Sequence, residues 1–229
     1  MARVSSYSTL ATAVQDYLHQ TQVGVSAGNL DYLCAEVEQE MNARLRVRRM
    51  MTAVTPTVSA AGVVTLPTGW GGWVRFVCRD GNTEWDLDLL APEKTTEVSS
   101  LYGDEGVPKA LITGATTRIW PYTDGDYTFT AVYYLRVPEL STGAATNWVI
   151  TNYPMAYLFG CLAAARGFVQ DDTPALASRF DLWDRRFKRV LDQIEAEDAR
   201  DFDARKNASL APDTSLFGGR EKSNIEAGY

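Results

Sequence analysis

The chain has 229 residues, of which 45% are apolar and 22% charged, as in an ordinary globular protein with a real core. Its formal net charge of -7 disfavours a general nucleic-acid-binding protein, because such proteins normally carry a basic face. The three cysteines lie far apart and form no Cys-x-x-Cys pair, so they disfavour a disulfide framework and indicate a reducing compartment.

The first fifty residues predict two helices. The first covers Tyr7–Leu18 and gathers apolar side chains on one face. His19, the only histidine, lies near its end, where a positive charge offsets the helix dipole; we prefer this interpretation to a catalytic one. Asn29 is a suitable N-cap for the second helix. Its apolar stripe, spaced alternately by three and four residues, consists of Leu30, Leu33, Val37, Met41 and Leu45.

Residues 52–146 change to an apolar period of two, which is typical of β-strands. Asp80-Gly81-Asn82 is a strong turn signal, and Pro92 suits the first turn of a short helix over 92–101. We expect strands at 63–66, 73–77, 84–87, 109–112, 117–120 and 127–136.

Helical patterns return after Asn147. Pro154 and Pro174 can each occupy the first position of a helix. The last helix has an apolar seam that includes Phe180, Trp183 and Phe187. Its periodicity stops near Ala204, and the polar residues 207–229, rich in Gly and Ser, predict a tail without a core of its own.

Together these patterns predict an α+β fold: a four-helix bundle-like domain with an inserted small antiparallel β module and an extended C-terminal tail. Residues 1–51 and 147–206 would supply the bundle helices. Residues 52–146 would form the β module, and residues 207–229 an extended arm.

The stretch 155–169 is apolar on nearly every side. A helix of this kind must be buried all round, which is difficult for a small four-helix domain. We therefore expect part of its surface to be buried between subunits. The stretch is too short to span a bilayer, which needs about 20 residues, and residues 1–12 lack a signal-peptide pattern, so we expect a soluble protein made in a cytoplasm.

No pattern in the chain predicts catalysis, a cofactor or a metal site. Adjacent carboxylates such as Asp124 and Asp126 fit turn chemistry better than a pair of catalytic acids. Asp86 and Asp88 lie in an extended segment in which alternate side chains share a face, and they are the example considered for a glycosidase. The cysteines are interpreted as small core residues.

Two groups of residues indicate contacts. The first contains Arg44, Arg46, Arg48 and Arg49, which form either a solvated helix end or a surface for an acidic partner. The second is the set of aromatic residues in the β module, which belong either to its core or to an interface. We select as candidate subunit or partner contacts the four arginines together with Tyr157 and Trp183.

A series of short motifs resembles the C-terminal half of tailed-bacteriophage head–tail adaptor (connector) proteins, over residues 125–200. In order they are Tyr133-Tyr134, Pro138-Glu139-Leu140-Ser141, Asn147-Trp148, Tyr153-Pro154, Tyr157-Leu158, Gly160-Cys161-Leu162 and Ala164-Ala165, followed by a helix with Trp183. The resemblance implies an α-helical protein with an inserted β region and no catalytic residues. It also implies a ring, usually of twelve subunits, that docks beneath the portal and extends the DNA channel toward the tail.

In such proteins the C-terminal segment often grips the portal. The resemblance therefore implies a portal-binding arm with the residues Asn207, Leu210, Pro212, Leu216, Phe217, Arg220, Ile225 and Tyr229. A polar segment of this composition suits folding upon binding.

The sequence leads to the hypothesis of a virion structural protein in the neck, assembled in the host cytoplasm. Its partners would be the portal, a tail or terminator protein and further copies of itself, while genomic DNA would pass through the lumen without specific binding. Alternatives are a tail terminator or other neck protein, a cell-wall glycosidase using Asp86 and Asp88, and a carbohydrate-binding module using tryptophans.

Overall fold

The computed structural model describes residues 4–18, 27–123, 125–168 and 174–210. His19 and the arm residues from Pro212 to Tyr229 lie outside the described residues. The described part confirms the α+β class, with six α-helices and several β-sheets.

The helices are α1 (Tyr7–Leu18), α2 (Ala27–Arg44), α3 (Thr95–Tyr102), α4 (Trp148–Asn152), α5 (Pro154–Ala164) and α6 (Pro174–Leu210). Short 3-10 turns cover Arg48–Met50, Pro92–Lys94 and Ala165–Phe168. Pro154 begins α5, as the sequence predicts. Helix α6 extends to Leu210, beyond the end near Ala204 that the sequence predicts, so the first residues of the expected arm are helical.

Helix α5 lies at the centre of the helical layer, in contact with α1, α2, α4 and α6. The predicted stripe of α2 is confirmed, because all five of its members are buried in this core. Side chains of α6 close the other side. The residues contributed by α6 are Phe180, Trp183, Phe187, Leu191 and Ile194.

The expectation that α5 needs a second subunit for its burial is wrong. Ala156, Tyr157 and Cys161 have no accessible surface in the single chain, because four helices of that chain surround α5. Close approach of α2 is possible at Gly160, where an added Cβ would lie 2.8 Å from both methyl carbons of Val37. Among the large apolar side chains described over residues 155–168, Met155 at the start of α5 and Phe168 in the following 3-10 turn are exposed. No described helix is long and apolar enough to cross a membrane.

The nine strands found in the described residues all lie between α2 and α4 in the chain. They are β1 (Met51–Val54), β2 (Trp70–Asp80), β3 (Thr83–Asp86), β4 (Asp88–Leu90), β5 (Glu105–Gly106), β6 (Ala110–Ile112), β7 (Arg118–Trp120), β8 (Tyr122–Thr123) and β9 (Thr128–Leu135). A four-stranded antiparallel sheet has the order β1-β9-β2-β3. Its β2–β3 hairpin turns at Gly81, whose φ of 53° lies in the left-handed region.

The remaining strands depart from the predicted, purely antiparallel β module. Strand β6 pairs in parallel with β4 and antiparallel with β7, and β5 pairs in parallel with β8. A parallel pair needs a crossover connection, and here α3 lies in the segment between β4 and β6. The expected strand 63–66 makes only isolated bridges, at Val63 and Val64. A second core lies beneath the sheets and includes Phe76, Leu111, Ile119 and Phe129.

The packing at Gly160 yields the first prediction. Gly160→Ala places a methyl group against Val37, which is buried and stiff at χ1, and 3.3 Å from the Phe187 ring. We expect a net loss of about 1–2 kcal/mol in the free energy of unfolding, because overpacking costs more than the gain of about 1 kcal/mol in helix propensity. Urea denaturation measures this loss.

Gly167→Ala is the matched control, because an added Cβ there meets no atom within 4 Å. In the double variant with Val37→Ala, the two losses should be less than additive, since the smaller side chain makes room for the methyl group. Strict additivity would contradict the proposed contact.

Candidate interaction surfaces

The arginines at the end of α2 are engaged mainly within the chain. Arg44 forms ion pairs with Asp192 and Glu195 of α6. Arg48 pairs with Asp198 at 3.4 Å and donates a hydrogen bond of 2.6 Å to the Asp198 carbonyl oxygen. These two arginines thus attach the end of α2 and the following 3-10 turn to α6.

The other two arginines pack against aromatic rings. Arg46 donates to the carbonyl oxygens of Asn42 (2.6 Å) and Leu45 (2.7 Å), closing the C-terminus of α2, and lies 5.8 Å from the Tyr134 ring centre. Arg49 lies 5.5 Å from the Trp148 ring centre. Both are exposed. The four arginines therefore do not form a simply solvated helix end. Each of their positive charges already has a contact within the chain.

Tyr157 and Trp183, which the sequence selects as interface candidates, are core residues instead. Tyr157 has no accessible surface, and Trp183 retains 6% while packing edge-on against Phe180. Neither side chain is available to a partner in this conformation. The apolar seam of α6 and the apolar character of α5 therefore reflect burial within the chain.

Tyr157 belongs to a buried polar network that the sequence does not predict. Its hydroxyl donates to Glu38 Oε1 at 2.7 Å, and the same oxygen accepts the Leu140 N–H at 2.7 Å. Asn147 Nδ2 donates to the Tyr157 hydroxyl (2.6 Å) and to the Pro138 carbonyl oxygen (2.7 Å). The network joins α2, α5 and the loop that leads from β9 to α4.

Asn147 also begins α4. Its Oδ1 accepts the N–H groups of Val149 and Ile150, each at 3.0 Å, which is N-cap geometry. One side chain therefore orders the loop through Pro138, the core through Tyr157 and the start of the next helix. The only sequence signal for Glu38 is its position four residues after Cys34, at the edge of the apolar stripe of α2.

Burial changes the ionisation of both acidic members of this network. Burial raises the pKa of Glu38 to about 7, although the hydrogen bonds from Tyr157 and Leu140 lower it. Burial and the adjacent Glu38 carboxylate raise the pKa of Tyr157 well above its ordinary value, so its hydroxyl remains a donor. Because Tyr157 has no accessible surface, these contacts serve packing and orientation within the core.

Two open depressions lie beside these contacts. A groove of about 920 Å³ separates α2 from the ends of β2 and β9, and Glu38 lies at its border. A cleft of about 400 Å³ between α4 and α6 is lined by Trp148, Tyr153, Glu197 and Asp201, among others. Within it the Tyr153 hydroxyl donates to Glu197 at 2.6 Å, which raises the pKa of Tyr153 to about 12.

The residues behind the enzymatic and carbohydrate-binding alternatives have structural contacts. Asp86 is exposed and forms an ion pair with Arg75 on the neighbouring strand. Trp85 donates to the Pro108 carbonyl oxygen, and Trp73 packs against Phe76 and Tyr133. Among the residues that the structure describes, no group of three or more potential metal ligands is present.

Of the predicted arm, the structure describes only the start. Asn207 and Leu210 lie in the last turn of α6. Comparison with known proteins finds a match to the family model described as SU10 adaptor protein, over residues 5–212. No curated protein matches the chain. The match covers both helical parts and all the strands.

The buried carboxyl group yields the second prediction. Glu38 has a higher pKa in the folded chain (about 7) than its ordinary value of 4.5, so the stability that it contributes is fully present below pH 4.5. That contribution is lost as the pH rises through 7. Glu38→Gln keeps an oxygen that can accept both hydrogen bonds and removes the buried charge. The variant should be more stable than the parent at pH 8, by about 1–3 kcal/mol.

Urea denaturation at pH 5 and pH 8 measures the effect. Glu40→Gln is the control, because this carboxylate of α2 is exposed and does not contribute to the raised pKa of Glu38, so its replacement should leave the pH dependence unchanged. A Glu38→Gln variant whose stability falls between these pH values as steeply as that of the parent would show that Glu38 does not titrate in this range.

Proposed function

Because the chain belongs to the SU10 adaptor protein family, a phage head–tail adaptor family, we propose that its copies form a ring that joins the portal to the tail. The ring, which the resemblance of the motifs implies to be dodecameric, would continue the DNA channel in the neck of the virion. The observation that carries the proposal is the family match over residues 5–212.

The packing of the chain supports a role as a rigid building block. Its central helix is covered by the chain itself, and the loop after β9 is fixed to α2 by Glu38 and Asn42 side chains. A subunit of this kind can dock without first refolding, so little ordering entropy is lost in its helical layer.

Ring symmetry would convert weak contacts into stable attachment. Each copy adds a modest contact to the portal, and binding of one copy raises the effective concentration of the next. We propose that residues 207–229 supply this contact as an arm that orders upon binding. The formal charge of -7 suits a channel wall that does not retain DNA.

The remaining partners follow from the same arrangement. One end of the ring would meet the portal, and the other a tail or terminator protein. The four arginines near α6 remain candidates for contact through the exposed Arg46 and Arg49, whereas Arg44 and Arg48 are occupied by carboxylates of α6. Assembly would take place in the host cytoplasm before the tail is attached.

The third prediction tests the ring and the arm separately. The full chain, mixed with its portal, should form rings in negative-stain images and co-sediment with the portal. A chain that ends at Leu210 should retain ring formation and lose at least tenfold in portal affinity, which corresponds to at least about 1.4 kcal/mol of binding free energy. Sedimentation and electron microscopy give the two readouts.

A chain with residues 211–229 in shuffled order is the matched control for length and charge, and it should bind as weakly as the truncated chain. Failure of the full chain to form a ring, with or without portal, would refute the proposed function. Undiminished portal binding by the truncated chain would refute only the role of the arm.

A further inference from the structure

Helix α6 carries its charges in two separate blocks. Residues 179–189 contain five basic and two acidic side chains, and we call this segment the basic patch. Residues 192–203 contain six acidic and one basic side chain, and we call this segment the acidic patch. Positive and negative side chains typically alternate along a helix face that contacts only solvent, so their separation on α6 needs an explanation.

The stability of α6 itself does not explain this arrangement. Like charges meet at helical spacing, as in Arg185 with Arg189 and Glu197 with Asp201, and such pairs destabilise a helix. The first turn of α6 has no acidic residue and the last turn no basic one, so the helix dipole is not compensated either. The arrangement therefore has a cost within the isolated helix.

Contacts within the chain account for only part of the two patches. Arg44 and Arg48 neutralise carboxylates of the acidic patch, and Lys188 pairs with Asp184 at 2.8 Å inside the basic patch. Several exposed charged side chains have no ion-pair partner among the described residues. They include Arg179 and Arg189 in the basic patch and Asp201 and Asp203 in the acidic patch.

Each patch also exposes an apolar side chain. Leu182 is 40% exposed in the basic patch and Phe202 is 51% exposed in the acidic patch. The acidic patch borders the cleft that contains the Trp148 and Tyr153 rings, and aromatic faces of this kind attract guanidinium groups. Charged residues around an apolar anchor, next to an aromatic cleft, are features of a protein–protein contact.

The basic and acidic patches of two copies are complementary in charge, whereas a uniformly charged partner would be attracted to only one of the patches. Their centres lie 13 residues apart, about 20 Å along the helix. A closed ring joins two different surfaces of each copy, one to the preceding copy and one to the next. Because α6 carries one basic and one acidic patch, every copy of the chain can supply both of these surfaces.

We propose that the basic patch of α6 in one copy docks against the acidic patch of α6 in the adjacent copy. This inference rests on the proposed ring and names the surface that closes it. Exposed ion pairs are individually weak and are screened by salt. The contact should therefore weaken as the salt concentration rises from about 0.05 M to about 1 M, over which the Debye length falls severalfold.

Charge reversal gives the fourth prediction. Arg179→Glu with Arg189→Glu changes the net charge of the basic patch from +3 to -1, and Asp201→Arg with Asp203→Arg changes that of the acidic patch from -5 to -1. Each double variant should sediment as a single subunit at a concentration at which the parent chain assembles. An equal mixture of the two should assemble again, because one kind of contact between unlike variants joins the two parental patches and the other brings the introduced glutamates opposite the introduced arginines.

Glu93→Arg with Glu105→Arg is the matched control, since it makes the same charge change at exposed positions of the β region. This control should assemble like the parent, and thermal unfolding should show that all variants retain the parent fold. Assembly of both α6 variants on their own would refute this inference while leaving the ring intact. So would a mixture that fails to assemble, whereas a parent chain that never assembles would refute the proposed ring itself.

Discussion

Helix α5 presents apolar side chains in nearly every direction, and removing them from water requires a neighbour on each side. The chain supplies these neighbours from both ends of its sequence: α1 and α2 before the strands, α4 and α6 after them. The strands can therefore form a continuous insertion only if the chain leaves the helical layer and returns to it at defined points. Several long-range polar contacts of the structure lie at those points of departure and return.

Return to the helical layer is controlled by side chains of α2. Glu38 accepts the N–H of Leu140, and Asn42 accepts the N–H of Val137, so the loop after β9 is fixed to a helix that precedes every strand. Departure is controlled by Arg48, which holds the turn before β1 against α6. Since β1 pairs with β9, these two points are also joined through the sheet. The helical layer and the four-stranded sheet are thus connected on both sides of the insertion.

The features that the sequence predicts are those encoded by local periodicity. The stripe from Leu30 to Leu45 and the alternation of residues 127–136 specify elements without reference to any partner. Parallel pairing of β4 with β6 depends on a crossover, and no property of either short strand encodes it. The contacts of Arg44 and Arg48 join residues about 150 positions apart, beyond any local pattern. Glu38 has an ordinary sequence context, and only its position in the fold shows that it is buried.

The interpretation of α5 went wrong for a different reason. Its composition correctly requires burial, but composition does not indicate whether the covering surface belongs to the same chain. Gly160 allows Val37 to approach closely, and the seam of α6 covers the opposite side. With the apolar seam of α6 already used within the chain, its exposed face offers mainly charged side chains, together with Leu182 and Phe202, for the proposed contacts with other copies. Contacts of that kind are individually weak and reversible. Assembly from such contacts depends on their repetition, which a ring of identical subunits provides.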